Sequence, residues 1–340
     1  AMDEYRAQRR GGRGISGIAR KEEDFVEEMF ACNSHDHLMF MTNLGRVYDA
    51  KCYTIPEGSR QSRGTNVVNL LPLVPGEKVS SILKVVDPED DEFLIMVTKK
   101  GIIKRTAIKN YAHIRKTGII GIVLSEDDEL VSAAITDGTR QIIVGTWGGM
   151  SIRFDENDLR PIGRTSMGVR AIKLREGDEV IGMAAVDESS ILLTVSEEGK
   201  GRLTPVRDYT LQQRGGQGIR NYDCRKGNHV AGFKVVDTER DDAIMISQNG
   251  TVIRMNVSDI AFQSRYGMGV NVMRLDEGDK VVTLAATLRE DIEIESEQPA
   301  GEAENAYATP SDDELQSLMH EDMVSGEDQE DEHYSEDEEE

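Results

Sequence analysis

The chain has 340 residues, 30% of them charged and only 5% aromatic, with a formal net charge of −23. That length accommodates two average domains or one large all-β domain, and no run of about 18 apolar residues is present to span a membrane. The three cysteines, Cys32, Cys52 and Cys224, lie far apart in sequence and form neither a disulfide framework nor a CxxC zinc pair, which fits a reducing compartment.

The charge is unevenly spread. Residues 290–340 hold 22 of the 63 acidic residues and no Lys or Arg, so the remainder is nearly neutral, with 41 acidic against 40 basic residues. Self-repulsion and the dominance of Asp, Glu, Ser, Gln, Ala and Gly predict a disordered acidic tail over 290–340, after a folded body over 1–289. A neutral body still binds a polyanion if its basic residues gather on one side.

The chain opens Ala1-Met2, which reads as the start of an internal piece of a longer protein. Gln8-Arg9-Arg10-Gly11-Gly12-Arg13-Gly14 then packs three guanidinium groups and three glycines into its last six positions. Glycine lets backbone N–H groups approach a phosphate, and the planar arginine fork fits phosphate oxygens bidentately. The stretch is a candidate phosphate clamp, although a solvated basic terminus would share its composition. Lys21 to Phe30 is the one early segment with a helical apolar stripe, from Phe25, Val26, Met29 and Phe30.

Two landmarks then alternate. The first is a Ser or Thr, two variable residues and a Gly: 42–45, 98–101, 146–149, 196–199 and 247–250. Apolar, β-rich residues flank each one, which predicts a hairpin with the Gly at a positive-φ turn position. The second landmark is an Arg four residues before a Gly, at Arg10/Gly14, Arg60/Gly64, Arg164/Gly168, Arg214/Gly218 and Arg265/Gly269, with an irregular copy at Arg115/Gly118. Successive glycines are 50, 54, 50, 50 and 51 residues apart. Four residues after them come Ile18, Val68, Ile122, Ile172, Tyr222 and Met273. Nine before five of them come Tyr5, Ile55, Leu159, Tyr209 and Ile260, one shared packing slot. Each unit reads strand, acidic turn, strand, hairpin, strand, basic loop, which is the size of a propeller-type blade of four strands. A long β-sandwich is the competing reading. Five hairpins accompany six basic loops, so the sixth blade is expected to be partial or to borrow strands from the chain start.

The repeat places one basic set at the hairpins, namely Lys99, Lys100, Lys104, Arg105, Arg153, Lys200, Arg202 and Arg254. A second set lies in the Arg-containing loops: Arg60, Arg63, Arg115, Lys116, Arg164, Arg214, Arg220 and Arg265. If units form a disc, a fixed angular step carries both sets to one rim, giving a belt that tracks the backbone of bent duplex DNA. The plainer alternative is solvated edge charge that discourages strand addition.

Gln8 to Gly14 resembles the GyrA box, the signature of the C-terminal domain of the DNA gyrase A subunit, with Arg13 where Lys is also usual. Gln213-Arg214-Gly215-Gly216-Gln217-Gly218 resembles a degenerate second copy. The resemblance implies an all-β, six-bladed β-pinwheel whose blades exchange strands. It implies a non-catalytic, DNA-binding role: wrapping duplex DNA with positive handedness so that the holoenzyme, with ATP, introduces negative supercoils. The box residues Gln8, Arg9, Arg10, Gly11, Gly12, Arg13 and Gly14 would hold the wrapped segment. The implied partners are DNA, the rest of the gyrase A subunit, and the gyrase B subunit in an A2B2 assembly, in the bacterial cytoplasm at the nucleoid. The isolated domain is expected to be monomeric. ATP and Mg2+ would serve the holoenzyme; this piece needs no cofactor, and the catalytic Tyr and ATP site lie elsewhere. The acidic tail resembles tails that modulate wrapping.

His35-Asp36-His37 is a weak metal lookalike, and no Walker A sequence is present. Two other classes of function compete. One is a propeller that docks protein partners; the other is an enzyme with its site in a central channel.

Overall fold

The structure, a computed structural model, describes residues 15–16, 32–57, 65–87, 90–224 and 227–289. The chain divides into units 1–292 and 293–340, and all described residues fall in the first. The segment 21–30 and the acidic tail lie outside the described residues.

Five four-stranded antiparallel sheets make up the described fold. Each is built on one hairpin: His37–Thr42 with Arg46–Lys51, Phe93–Thr98 with Ile102–Ala107, Gln141–Thr146 with Met150–Asp155, Ile191–Ser196 with Lys200–Pro205, and Asp241–Ser247 with Thr251–Asn256. The turn chemistry is the same in all five. The landmark Ser or Thr hydroxyl accepts a hydrogen bond from the backbone N–H four residues on, at Arg46, Ile102, Met150, Lys200 and Thr251, over 3.1–3.4 Å. The landmark Gly sits at φ between +73° and +81°, the left-handed region that L side chains enter only at a cost. The acidic turn of the same unit then clamps the hairpin tip. Thr42 donates to Glu77 over 2.7 Å, and Thr146 and the Gly148 N–H donate to Asp178 over 2.8 and 2.6 Å.

A third strand joins each hairpin on one side: Val79–Val85, Leu130–Thr136, Val180–Val186, Val230–Val236 and Val281–Leu288, with a register shift at the same point in every sheet. These third strands neighbour one another in chain order. Apolar layers fill the gaps between consecutive sheets. Met39, Val47, Met96 and Leu130 pack between the first two, and Ile95, Val97, Val144 and Ile152 between the next two. Ile143, Leu192 and Phe233 continue the series, followed by Leu193, Val195, Met245 and Ile253. Because both faces are covered, the hairpin strands are buried on both sides rather than alternately.

The fourth strand is lent by the neighbouring unit. Ile119–Ile120 follows the second hairpin but pairs with the first; Val169–Arg170, Ile219–Arg220 and Val270–Asn271 repeat that step. The fifth sheet takes its fourth strand from the chain start, Ile15 opposite Val252 and Ser16 opposite Thr251. Of the expected six blades, the described residues hold five as four-stranded sheets. The loop ending at Gly64 is the odd one, because no described hairpin precedes the first to accept a strand after it. Val68 shows this. It is 59% exposed, whereas Ile122, Ile172, Tyr222 and Met273 in the same slot are 1–3% exposed against the preceding hairpin.

The packing slot nine residues before the loop Gly is observed: Leu159, Tyr209 and Ile260 are buried. The cysteines do not all stay apart, since Cys32 and Cys52 bring their Sγ atoms to 2.7 Å. The bond from Cys52 and burial push the Cys32 thiol up to about 11. No helix among the described residues is long and apolar enough to cross a membrane.

Candidate nucleic-acid interface

The two basic sets part company in the folded chain. The loop set lies at the outer sheet edges. Arg115, Lys116 and Arg220 are exposed, and Arg164, Arg214 and Arg265 are half-exposed. Those last three repeat one contact. Arg164 donates to the Ile120 carbonyl, Arg214 to the Arg170 carbonyl and Arg265 to the Arg220 carbonyl, at 3.4, 3.3 and 3.0 Å. Each acceptor is the second residue of the adjacent sheet's fourth strand. The loop arginines therefore stitch one outer edge to the next across the first four sheets, and their backbones form a continuous run of basic loops. Grooves of about 750 Å³ lie between successive loops. One is lined by Arg115, Gly118 and Arg164, the other by Gln217, Arg220 and Arg265 beside Trp147, whose ring stacks on His229 at 3.4 Å.

The loop glycine is required twice over. Gly168, Gly218 and Gly269 have φ of +102°, +71° and +79°, and a Cβ there would meet the carbonyl oxygens of Ile103, Ser151 and Gly201 at 2.5, 2.3 and 2.9 Å. The loop thus rests on the second hairpin strand of the sheet it edges, with no room for a side chain between.

The hairpin set requires correction. Lys104, Arg105, Arg153, Arg202 and Arg254 are at most 6% exposed, and their partners are protein atoms. Lys104 donates to the carbonyls of Gly163 and Arg164 at 3.1 and 2.6 Å, and burial with Arg164 nearby holds its ammonium down to about 8. Arg202, fully buried, donates to the carbonyls of Asn221, Arg265 and Gly267 and to the Thr204 hydroxyl. Arg153 holds the carbonyls of Val206 and Tyr209 at 2.9 and 2.8 Å. Arg105 pairs with Glu156 at 3.4 Å and stacks 3.6 Å over Phe93, and Arg254 pairs with Asp242 at 2.9 Å. Lys104, Arg105, Arg153 and Arg202 are struts beneath the neighbouring unit and Arg254 pairs within its own hairpin; none of the five is a surface ligand. At the hairpin tips, Lys99 and Lys200 pair with Glu179 and Glu198 at 3.0 and 3.7 Å, and Lys100 donates to the Glu126 carbonyl.

Gln8 to Gly14, Arg60 and Arg63 lie outside the described residues. The two residues directly after Gly14 pair at the edge of the fifth sheet. Reading the sequence passed over Arg160, Arg170 and Arg175, all exposed at the same edges. Arg170 was legible, since it stands two residues after its Gly, as Arg220 does.

The model of the DNA gyrase C-terminal domain, beta-propeller, matches residues 1–33, 36–85, 92–137, 140–187, 190–237 and 241–287. The chain belongs to that family. It is 45% identical over 312 residues to the DNA gyrase A subunit of Clostridium acetobutylicum and 40% identical to that of Staphylococcus aureus strain NCTC 8325, matches that cover 92% and 91% of this chain. The chain spans only 38% and 35% of those relatives' own lengths. A solved DNA gyrase A C-terminal domain superposes with TM-score 0.70 at 27% identity, covering 84% of this chain and 94% of that one. The C-terminal domain of a DNA topoisomerase IV superposes with TM-score 0.72 at 23% identity over 80% of this chain and 85% of the other, a likeness of fold. The family model's six matched segments run in step with the repeat, and its first, 1–33, ends before the first described hairpin.

Proposed function

We propose that this gyrase C-terminal domain binds duplex DNA along its outer sheet edges and bends it around them, without base-specific contacts and without catalysis of its own. The observation that carries the reading is the repeated contact of Arg164, Arg214 and Arg265 with the adjoining edge, which lines basic loops up sheet after sheet. Bending a 20–30 bp site smoothly costs roughly 1–6 kcal/mol, so such a surface needs many phosphate contacts in a row. Pairing of Ile15–Ser16 at the fifth sheet supports extending the series to the box, with Gln8, Arg9, Arg10 and Arg13 as its next phosphate ligands. The segment 1–33 and the loop through Arg60 and Arg63 would belong to a sixth blade. In the assembled enzyme the wrap would be of positive hand and would feed strand passage by the remaining domains of gyrase A, together with gyrase B, in an A2B2 complex. ATP and Mg2+ would act there, in the cytoplasm at the nucleoid, and the isolated domain would be a monomer. The tail, with 22 acidic residues over 290–340, would compete with DNA for the basic loops.

The test is topological. Nicked circular DNA is sealed in the presence of the chain and its linking number is read; a positive shift supports wrapping, and an unchanged linking number despite binding refutes it. Affinity for random duplex should fall about 10³–10⁵-fold between 50 and 200 mM salt if some 6–10 phosphates are engaged. Apolar docking of a protein partner would lack that slope. Replacing Arg9, Arg10 and Arg13 by Ala should abolish the linking-number shift with little change in thermal midpoint.

A further inference from the structure

One loop of the series is unlike the others. Between Ala261 and Gly269 it carries Phe262, Tyr266 and Met268, which are 54%, 63% and 53% exposed. The matching slots hold Pro161, Thr165 and Met167 in one neighbour and Leu211, Gly215 and Gln217 in the other, so each neighbour exposes one large apolar residue in these slots, Met167 or Leu211, where this loop exposes three. Exposed large apolar groups are ordinary when scattered, but three in one loop beside arginines at a binding edge mark a contact surface.

The loop is also held from beneath, as Lys104 holds the loop of Gly163 and Arg164, and with further bonds added. Arg202 donates to the carbonyls of Arg265 and Gly267 at 3.1 Å each, and the Thr204 hydroxyl to the Gln263 carbonyl at 2.9 Å. The Tyr222 hydroxyl donates to the Met268 carbonyl at 2.7 Å, and the Gly269 N–H to the Gln263 side chain at 2.9 Å. On the outside, the Arg265 guanidinium lies 4.2 Å from the Tyr266 ring centroid while bonding the Arg220 carbonyl. The backbone is therefore fixed and the apolar side chains project from it, with Arg265 at their base and Arg220 in the adjoining edge. A loop left to relax would fold such side chains back onto the protein.

We propose that Phe262, Tyr266 and Met268 form a wedge that enters the minor groove of bound duplex and partly unstacks a base step, concentrating the bend at the edge of the fourth sheet. The occupant is duplex DNA because Arg265 at the base of the wedge and Arg220 in the adjoining edge offer phosphate ligands beside it, although Glu176, Asp178 and Asp223 line the deeper part of the same groove; apolar wedges flanked by such cations are how architectural proteins kink duplexes. A second copy docked edge to edge would set arginine against arginine, and self-association is one of the outcomes of the test below. The inference rests on the DNA-bending reading above.

The experiment uses the full chain and a thymine-rich duplex of about 60 bp, long enough for a partial wrap. Permanganate reactivity reports unstacked thymines, and end-to-end energy transfer reports bending. The wild type should raise reactivity several-fold at a step inside the bound segment. A Phe262→Ser, Tyr266→Ser, Met268→Ser variant should lose that signal and bend less, with affinity within about threefold at low salt and an unchanged salt slope, because no phosphate ligand is removed. Exposed sites should leave its thermal midpoint unmoved. If the wild type binds and bends DNA without enhanced reactivity, or the variant keeps it, the wedge is wrong while the bending reading stands. If the wild type neither binds nor bends duplex, both fall. Self-association that disappears in the variant would assign the surface to a second copy and overturn the proposal.

Discussion

Replacing Arg202 by Met separates a strut from a ligand. The guanidinium is completely buried and serves Gly267 and Arg265 carbonyls at 3.1 Å each, the Thr204 hydroxyl at 2.6 Å and both oxygens of Asn221. Methionine fills much of the same volume but donates nothing, which leaves four carbonyl oxygens and the Thr204 hydroxyl without this donor. An unsatisfied buried acceptor costs about 1–3 kcal/mol, and relief from burying a charge offsets part of it. A net loss of about 3 kcal/mol follows. At roughly 2–4 °C per kcal/mol for a domain of this size, the thermal midpoint should drop by about 6–12 °C. Amide exchange should quicken first in 262–269, whose carbonyls lose their anchor. Differential scanning calorimetry and hydrogen exchange on the variant read both effects. A variant that melts within about 2 °C of wild type yet loses DNA affinity would show that Arg202 meets the ligand directly, and the assignment of buried struts would fail.

Gly218→Ala should destabilise more than Gly177→Ala. Both have positive φ, at +71° and +74°, but only at Gly218 would the methyl lie 2.3 Å from a carbonyl oxygen, while nothing is within 4 Å at Gly177. The second variant should cost about 1–2 kcal/mol and the first clearly more, by urea midpoints; equal losses would mean that the loop does not rest on Ser151 as described. Lys104 gives a pH signature. Its folded pKa, about 8, lies below the ordinary lysine value of 10.5, so between those values the unfolded chain binds more protons and stability rises with pH. From pH 7 to 9.5 the gain from this group should be on the order of 2 kcal/mol, and Lys104→Met should lack it; identical pH trends in the two proteins would refute the assignment.

The repeat was readable because its devices are local. A Ser or Thr whose hydroxyl takes the N–H four residues on, and a Gly that must turn left-handed, leave the same mark in every unit. The exchange of the fourth strand came from the family resemblance and not from local pattern, because Ile119–Ile120 or Val169–Arg170 is two residues long and its partner lies in another unit. The direction of the hairpin cations also escaped. Alternation separates faces only when one face is wet, and here Ser151 to Phe154 are all buried. Arg153 and Arg202 thus look in sequence like Arg164 and Arg214, yet the first pair holds up loops and the second pair edges them. The contact of Cys32 with Cys52 bridges a hairpin and could not be read from spacing.

The borrowed edge strand makes each module a hostage to the one after it. A load applied to the loop at Gly218 passes through Ile219–Arg220 straight into the preceding hairpin, and through Arg214 into the one before that. Tension from a stiff, curved rod laid along the edges is therefore shared round the body instead of peeling off one unit. The last described link runs through Ile15 and Ser16, whose two-residue pairing with Val252 and Thr251 ties the chain start to the final sheet, so that the first and last modules share one load path.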